Sequence, residues 1–468
     1  VNQKKEKSLE HMDPTTPGNP PGIALNNRTE GDINITSARQ KWWNDHISEP
    51  TMKLLEKDAR YFLHQSLSTP CLDVLESCEG PYLENLAGKS YLDFHGNNAH
   101  QVGFGHPHVV ERLVEQMYKL PFSTRRFTNE PAIELAEKLA QLAPGNLKRV
   151  LFTPNGSSAI GIALKLARAV TGKFKVLSFW DSFHGASLDV ISVGGEAQFT
   201  LHMGPLMPGV ERVPPPVTYR GIFQDNEQKC LEYIDYVLSK EPGIGAFLAE
   251  TIRNTDVQVP SNDFWKKVRH LCDQYGVLLI LDEIPIAFGR TGKMFAFEHY
   301  GIEPDILCLG KGLGGGIMPM AAIIARDEYN RFGDISLGHY THEKSPLGSV
   351  AALATLEVLE EEKILDKVTQ DEQWMKESLK ELQDRHYWIG DIRGIGLLWG
   401  IELVKNRETR EKAVDEAEKV MYQCLGEGLS FKISAGNVIQ LSPALTINRE
   451  ELATAIDIID KSIQALKP

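Results

Sequence analysis

Short apolar runs alternate with helix-period segments through the middle of this chain, and that alternation restricts the fold more than any other feature. Ala132 to Ala143 carries apolar residues at helical spacing. Val150-Leu151-Phe152-Thr153 reads as a strand, followed by the turn Pro154-Asn155-Gly156 and a helix over Ser157 to Ala169. Val176-Leu177-Ser178-Phe179 is a second strand. Trp265 to Tyr275 reads as a helix that Gly276 ends, and Val277-Leu278-Leu279-Ile280-Leu281 follows as an unbroken apolar run. A run without polar alternation suits a strand covered on both faces. Sustained over about 200 residues, the pattern implies an α/β domain with a mostly parallel sheet.

The flanks read differently. Residues 1–36 are polar and rich in Pro, Asn, Gly and Thr, so they are expected to form a tail. Gly80-Pro81-Tyr82-Leu83-Glu84-Asn85 and Lys89-Ser90-Tyr91-Leu92-Asp93 look like a hairpin. From residue 346 the pattern turns helix-rich, with a strand pair near Gly396 to Leu403 and a last helix opened by the Asn448/Glu451 capping-box spacing. The expected division is a large domain over 99–345, with 37–98 packing against a smaller α+β domain over 346–468.

Charge and cysteine usage exclude several roles. The net charge of -13 argues against a nucleic-acid partner held by a broad basic face. No stretch approaches the ~20 apolar residues of a spanning helix, so no membrane partner is expected. The Lys-bearing N-terminus has no apolar run behind it, unlike a secretory signal. Six scattered cysteines, none in zinc or redox spacing, read as reduced core thiols. The expected location is the cytoplasm.

Four clusters could carry chemistry. Asp282-Glu283 ends the buried apolar strand, where open α/β sheets bind ligands, although a carboxylate there can also be simply solvated. Lys311 lies among five glycines in Gly310-Lys311-Gly312-Leu313-Gly314-Gly315-Gly316. A desolvated lysine there can act as nucleophile or base, and the bland alternative is a surface loop. Asn155-Gly156-Ser157-Ser158 turns a strand into a helix, giving either an anion site or plain N-capping by Ser157 or Ser158. Phe183, in Ser182-Phe183-His184-Gly185, could stack on a planar ring or fill the core. A phosphate cradle, an aromatic plate, a carboxylate and a lysine, in that order on a parallel sheet, are together what pyridoxal 5′-phosphate requires.

From about Gly80 onward the chain resembles the class III pyridoxal-phosphate aminotransferases. The densest match is Leu279-Ile280-Leu281-Asp282-Glu283, Phe288-Gly289-Arg290-Thr291-Gly292-Lys293-Met294-Phe295-Ala296-Phe297-Glu298, Pro304-Asp305-Ile306 and the Lys311 loop. The resemblance implies the fold type I architecture and a homodimer with shared active sites. It also implies pyridoxal 5′-phosphate on Lys311 as the Schiff-base lysine, with Asp282 against the ring nitrogen. Gly156 and Ser157 would hold the phosphate, Phe183 and His184 would flank the ring, Glu250 would border it, and Thr341 would reach the neighbouring subunit's phosphate.

The departures from the family pattern concern the reaction. Relatives that handle α-amino acids carry an Arg in I-R-x-x-P-P-L. Here the segment is Ile439-Gln440-Leu441-Ser442-Pro443-Ala444-Leu445, and Gln440 cannot form the bidentate pair an Arg gives a carboxylate. The family's V-E-P-x-Q-G-E reads Ala249-Glu250-Thr251-Ile252-Arg253-Asn254-Thr255, and D-E-V-Q reads Asp282-Glu283-Ile284-Pro285. Within the family, the pattern most resembles ammonia-lyases of small hydroxy-amino phosphonates. The implied reaction takes (R)-1-hydroxy-2-aminoethylphosphonate to phosphonoacetaldehyde and ammonia. Arg253, Lys432, Arg125 and Arg126 are the candidate cations for the phosphonate, beside Gln440. The alternatives are an ω-aminotransferase passing an amine to a keto acid such as pyruvate, and a retired binding protein on the same fold. Lys311 and Asp282 together argue against the last.

Overall fold

The computed structural model describes residues 36–65 and 70–466. The expected tail lies outside them except for Thr36, whose hydroxyl caps the Ser37–His46 helix by accepting from the Arg39 N–H at 3.2 Å. A small antiparallel meander follows: β1 (Leu75–Glu79), β2 (Tyr82–Asn85) and β3 (Ser90–Asp93). The β2–β3 pair is the anticipated hairpin.

A seven-stranded sheet carries the middle of the chain. Its strands are β4 (Leu147–Thr153), β5 (Lys175–Phe179), β6 (Val210–Val213), β7 (Ile244–Glu250), β8 (Leu278–Asp282), β9 (Ile306–Leu309) and β10 (Ala321–Arg326). They lie in the order β4-β10-β9-β8-β7-β5-β6. The pairings among β5, β6, β7, β8 and β9 are parallel, whereas β10 runs antiparallel to both neighbours. The sheet is therefore mixed, and β10 has the same unbroken apolar character as its neighbours, so sequence pattern does not mark its reversal.

Both faces of the sheet are covered. Leu279, Ile280 and Leu281 of β8 are all fully buried, each stabilising the fold by about 2 kcal/mol relative to exposure. The Phe264–Tyr275 helix before β8 ends where Gly276 takes a left-handed conformation at φ 62°, which a residue with a Cβ adopts at a cost. The Gly156–Thr171 helix packs from the other face, with Ala159, Ile160, Ile162, Ala163, Leu166 and Ala167 buried. Its cap is Asn155, which accepts from the Ser158 N–H at 2.9 Å, so of the two alternatives left open by the sequence, capping by Ser157 or Ser158 is not the one seen.

The C-terminal part builds on β11 (Ile389–Ile395), β12 (Leu398–Asn406), β13 (Glu411–Lys412), β14 (Leu429–Ser430), β15 (Lys432–Ser434) and β16 (Val438–Leu441). β11, β12, β16 and β15 form one antiparallel path, with β13 on the side of β12. β14 instead joins the meander, pairing in parallel with β3. The last helix, Arg449–Gln464, opens with the expected Asn448/Glu451 capping box. Four cysteines are buried, but Cys78 is exposed and Cys71 half-buried, so these two are not the core thiols expected.

Candidate active site

Because β4, β5, β7, β8 and β9 all point the same way, the residues following them gather at one sheet edge. The register sets Glu250 directly beside Asp282, and Asp282 beside Cys308, three residues before Lys311. A cleft of about 470 Å³ opens there, lined among others by Gly156, Ser157, Phe183, His184, Glu250, Asp282 and Lys311. The residues singled out at four separate points of the sequence thus share one cavity.

Asp282 is nearly sealed from solvent. Its Oδ2 meets His184 Nδ1 at 2.8 Å and its Oδ1 accepts the Ile284 N–H at 3.0 Å. The two contacts fix the plane of the carboxylate. His184 Nε2 is buried without a partner. Glu250 Oε1 accepts the Phe183 N–H at 3.2 Å, and its Oε2 accepts the Asn254 N–H at 3.0 Å. It therefore positions the backbone that carries the aromatic plate. Burial pushes the Glu250 carboxyl above its ordinary range; the Asp282 charge adds to this, and His184 and the two N–H donors oppose it. The Phe183 ring lies 4.6 Å from Phe199 at 42°.

Lys311 has φ 45°, an uncommon backbone for a residue with a side chain. Burial lowers its proton affinity, opposed by Asp282 and Glu250 and reinforced by Lys432. A lysine so placed holds its amine closer to the neutral, nucleophilic form.

The phosphate end also fits. The Gly156–Thr171 helix points its N-terminus into the cleft, where unpaired N–H groups favour an anion. A Cβ on Gly185 would stand 2.2 Å from Ser157 Oγ, so only glycine lets this loop lie against the helix start. The Ser157 hydroxyl accepts the Ala186 N–H at 3.2 Å. An anion cradle, a fixed carboxylate, an aromatic wall and a desolvated lysine are the donor set of a pyridoxal-phosphate site, and the cleft fits that cofactor.

The remaining predicted residues lie elsewhere. Arg253 is partly buried and gripped by Asp256 through Nε–Oδ1 at 2.6 Å and a second contact from Nη2. Burial alone would weaken both charges, but their attraction prevails, holding Asp256 down at about 2. Arg125 rests against His339 in an exposed loop. Arg126 and Thr341 are exposed, and none of these three lines the cleft of its own chain. Lys432 on β15 stands directly across from Gln440 on β16. Sequence reasoning placed Asn155 in the turn Pro154-Asn155-Gly156 without giving it the cap, though an Asn just before a helical run is an ordinary cap signal. It also passed over His95 and His100.

A family model for class III aminotransferases matches residues 64–463. The chain belongs to the class III aminotransferase family. It is 56% identical over 454 residues to the (R)-1-hydroxy-2-aminoethylphosphonate ammonia-lyase of Vibrio splendidus (strain 12B01), covering 93% of this chain and 95% of that one. It is 34% identical over 426 residues to the leucine/methionine racemase of Thermococcus litoralis, covering 88% and 95%. Among solved structures, the taurine:2-oxoglutarate aminotransferase of Bifidobacterium kashiwanohense, in complex with PLP and glutamate, superposes with a TM-score of 0.83 at 27% identity, covering 88% of this chain and 97% of that one. This class III chain has the fold type I architecture, and pyridoxal 5′-phosphate is its cofactor.

Proposed function

We propose that this enzyme is an ammonia-lyase that converts (R)-1-hydroxy-2-aminoethylphosphonate to phosphonoacetaldehyde and ammonia. The observation that carries the reading is a contrast between two positions. Lys311, Asp282, Ser157 and Phe183 line the cleft, while the position of the amino-acid carboxylate clamp holds a buried, uncharged Gln440. The likeness to the Vibrio enzyme supports the substrate.

When bound, pyridoxal 5′-phosphate supplies an electron-poor ring that accepts the electron pair of a broken C–H bond. Lys311 holds the cofactor and, once its amine is free, takes the proton from the carbon bearing the substrate amine. Asp282, fixed by His184 and the Ile284 N–H, keeps the ring nitrogen protonated. Glu250, by accepting the Phe183 N–H, holds the backbone of Phe183 at the cleft wall, where the aromatic side chain would meet the cofactor. The proton on Lys311 is then in place to leave with the hydroxyl on the neighbouring carbon. Hydrolysis returns that water, and the net change is one substrate to one aldehyde and one ammonia. No second substrate is needed, so no keto-acid carboxylate has to be seated.

Arg125, Arg126 and Thr341 are read as serving a neighbouring copy in a homodimer with shared sites. Supporting this, Val110, Val114, Met117 and Tyr118 form an exposed apolar stripe on the Pro107–Lys119 helix, extended by Phe122 and Phe127 on either side of these arginines. Residues 99–345 are read as the cofactor-holding domain, and 37–98 as joined to 346–468, which the β3–β14 pairing supports. The cysteines, none of them in a disulfide among the described residues, suit the reducing cytoplasm, where we place the enzyme.

The test is a product assay without any keto acid. Ammonia and aldehyde released in equal amounts over many turnovers are expected. Product that stops at one per site, and resumes with pyruvate, would make it an ω-aminotransferase instead.

A further inference from the structure

Of the four candidate cations, Lys432 is the one whose charge acts on Lys311. Arg253 gives two of its nitrogens to Asp256, and Arg125 and Arg126 sit in an exposed loop of their own chain. Lys432 has no carboxylate within ion-pair distance among the described residues, and it is close enough to Lys311 to influence its proton affinity. An ammonium alone does not satisfy a tetrahedral dianion with three oxygens, so further donors must stand beside it.

Two do. β15 and β16 pair antiparallel with Lys432 opposite Gln440, which sends the two side chains to the same face. Gln440 is 1% exposed, and its Nε2 has no hydrogen-bond partner. On the other side, β14 pairs in parallel with β3, matching Ser430 to Asp93, and the Phe94 N–H donates to the Ser430 carbonyl at 2.7 Å. Two residues further along both segments stand Lys432 and His95. The Nδ1 of His95 is buried without a partner as well. Native interiors seldom leave such atoms unpaired, because each costs about 1–3 kcal/mol.

We propose that Lys432, Gln440 and His95 together form the subsite that grips the phosphonate group of the substrate. The assignment rests on the lyase reading and deepens it. Burial, with Lys432 and then Lys311 adding to it, holds the His95 imidazole neutral by pulling its pKa down to about 3. In that form the ring is a donor beside the ammonium and adds no second positive charge. Glu196 also feels Lys432, and burial pushes its carboxyl up to about 7, so it gives up its charge cheaply when a dianion arrives. The lone ammonium with two neutral donors favours a tetrahedral oxyanion over the flat carboxylate that a guanidinium fork would select. The subsite thus does for phosphonate what the missing Arg does for amino acids.

The experiment measures methylphosphonate binding to the holoenzyme by calorimetry, alongside KM for the hydroxy-amino phosphonate. Lys432→Met is expected to weaken both by about a hundredfold. Gln440→Leu and His95→Phe should each weaken them by about tenfold, and His95→Gln, which restores a neutral donor, should recover most of that loss. The visible absorbance of the bound cofactor reports whether each variant is folded and loaded. Loaded variants that keep wild-type affinity would overturn the subsite and leave the lyase reading intact. Wild-type enzyme that binds no methylphosphonate and turns over no phosphonate would overturn both.

Discussion

The Lys311 side of the site stands on the ends of parallel strands of four to seven residues, whereas the proposed Lys432 side stands on a three-residue strand of an antiparallel sheet. The two carboxylates of the first side are already satisfied, and the unmet atoms there are His184 Nε2 and Asn254 Oδ1. Asp282 takes His184 and a backbone N–H, and Glu250 takes two N–H groups. On the second side, the Gln440 amide nitrogen and His95 Nδ1 are buried and unmet. A satisfied site is preorganised for a resident group. An unsatisfied one is completed by each passing ligand, whose oxygens recover part of the cost of leaving those donors dry.

Breaking the satisfied side should have the larger effects. With the roles proposed above, Lys311→Ala would remove both the covalent tether and the base, so turnover should fall by about 10⁴-fold or more. The cofactor's visible absorbance should fade with it. Retained turnover would show that another group moves the proton. Asp282→Asn keeps the size of the side chain and one hydrogen bond but removes the charge, and turnover should drop by about a hundredfold with the melting temperature nearly unchanged. Activity near wild type would detach this carboxylate from the ring nitrogen.

The comparison also explains what the sequence disclosed. Asp282 and Lys311 were legible because each interrupts a strong local pattern: a carboxylate closing an apolar strand, a lysine among glycines. The mixed sheet was not, because the direction of β10 is set by its neighbours and leaves no trace in an apolar run. Arg253 looked available because nothing in the order of residues says that Asp256 will turn back onto it. The His95 cluster stayed hidden for a related reason. Its meaning comes from β14 lying beside β3, a pairing between segments more than 300 residues apart.

A smaller effect tests how far Glu250 acts through position alone. Glu250→Gln retains an oxygen for the Phe183 N–H but weakens that bond and adds an N–H facing the Asn254 amide. Turnover should fall by about tenfold, with KM little changed. A loss as deep as that of Asp282→Asn would mean that the carboxylate charge itself enters the chemistry. Comparing kcat between the two variants under identical loading decides this.

The least effect, and the most discriminating for the unsatisfied side, lies in stability against pH. His100 is fully buried beneath the His95 loop, and neither of its ring nitrogens has a hydrogen-bond partner. Burial, with Arg290 and His95 adding to it, holds it down at about 3 against an ordinary 6.5. Below pH 6.5 the unfolded chain takes a proton that the native ring refuses, so the His100 contribution is whole above 6.5 and drains away as pH falls toward 3. The rate is up to about 1.4 kcal/mol per pH unit. Asp93, 3.7 Å away, has the opposite sign: burial raises it to about 6 from 3.8, so its contribution is whole below 3.8 and is lost as pH rises through 6. His100→Gln removes only the first of these. The variant should therefore lose less stability than wild type between pH 7 and 5, and the gap between their melting temperatures should shift by about 2 °C or more in the variant's favour. A gap that stays constant with pH would mean that the native His100 ring takes up its proton at the same pH as the unfolded chain, and that its burial does not hold it neutral.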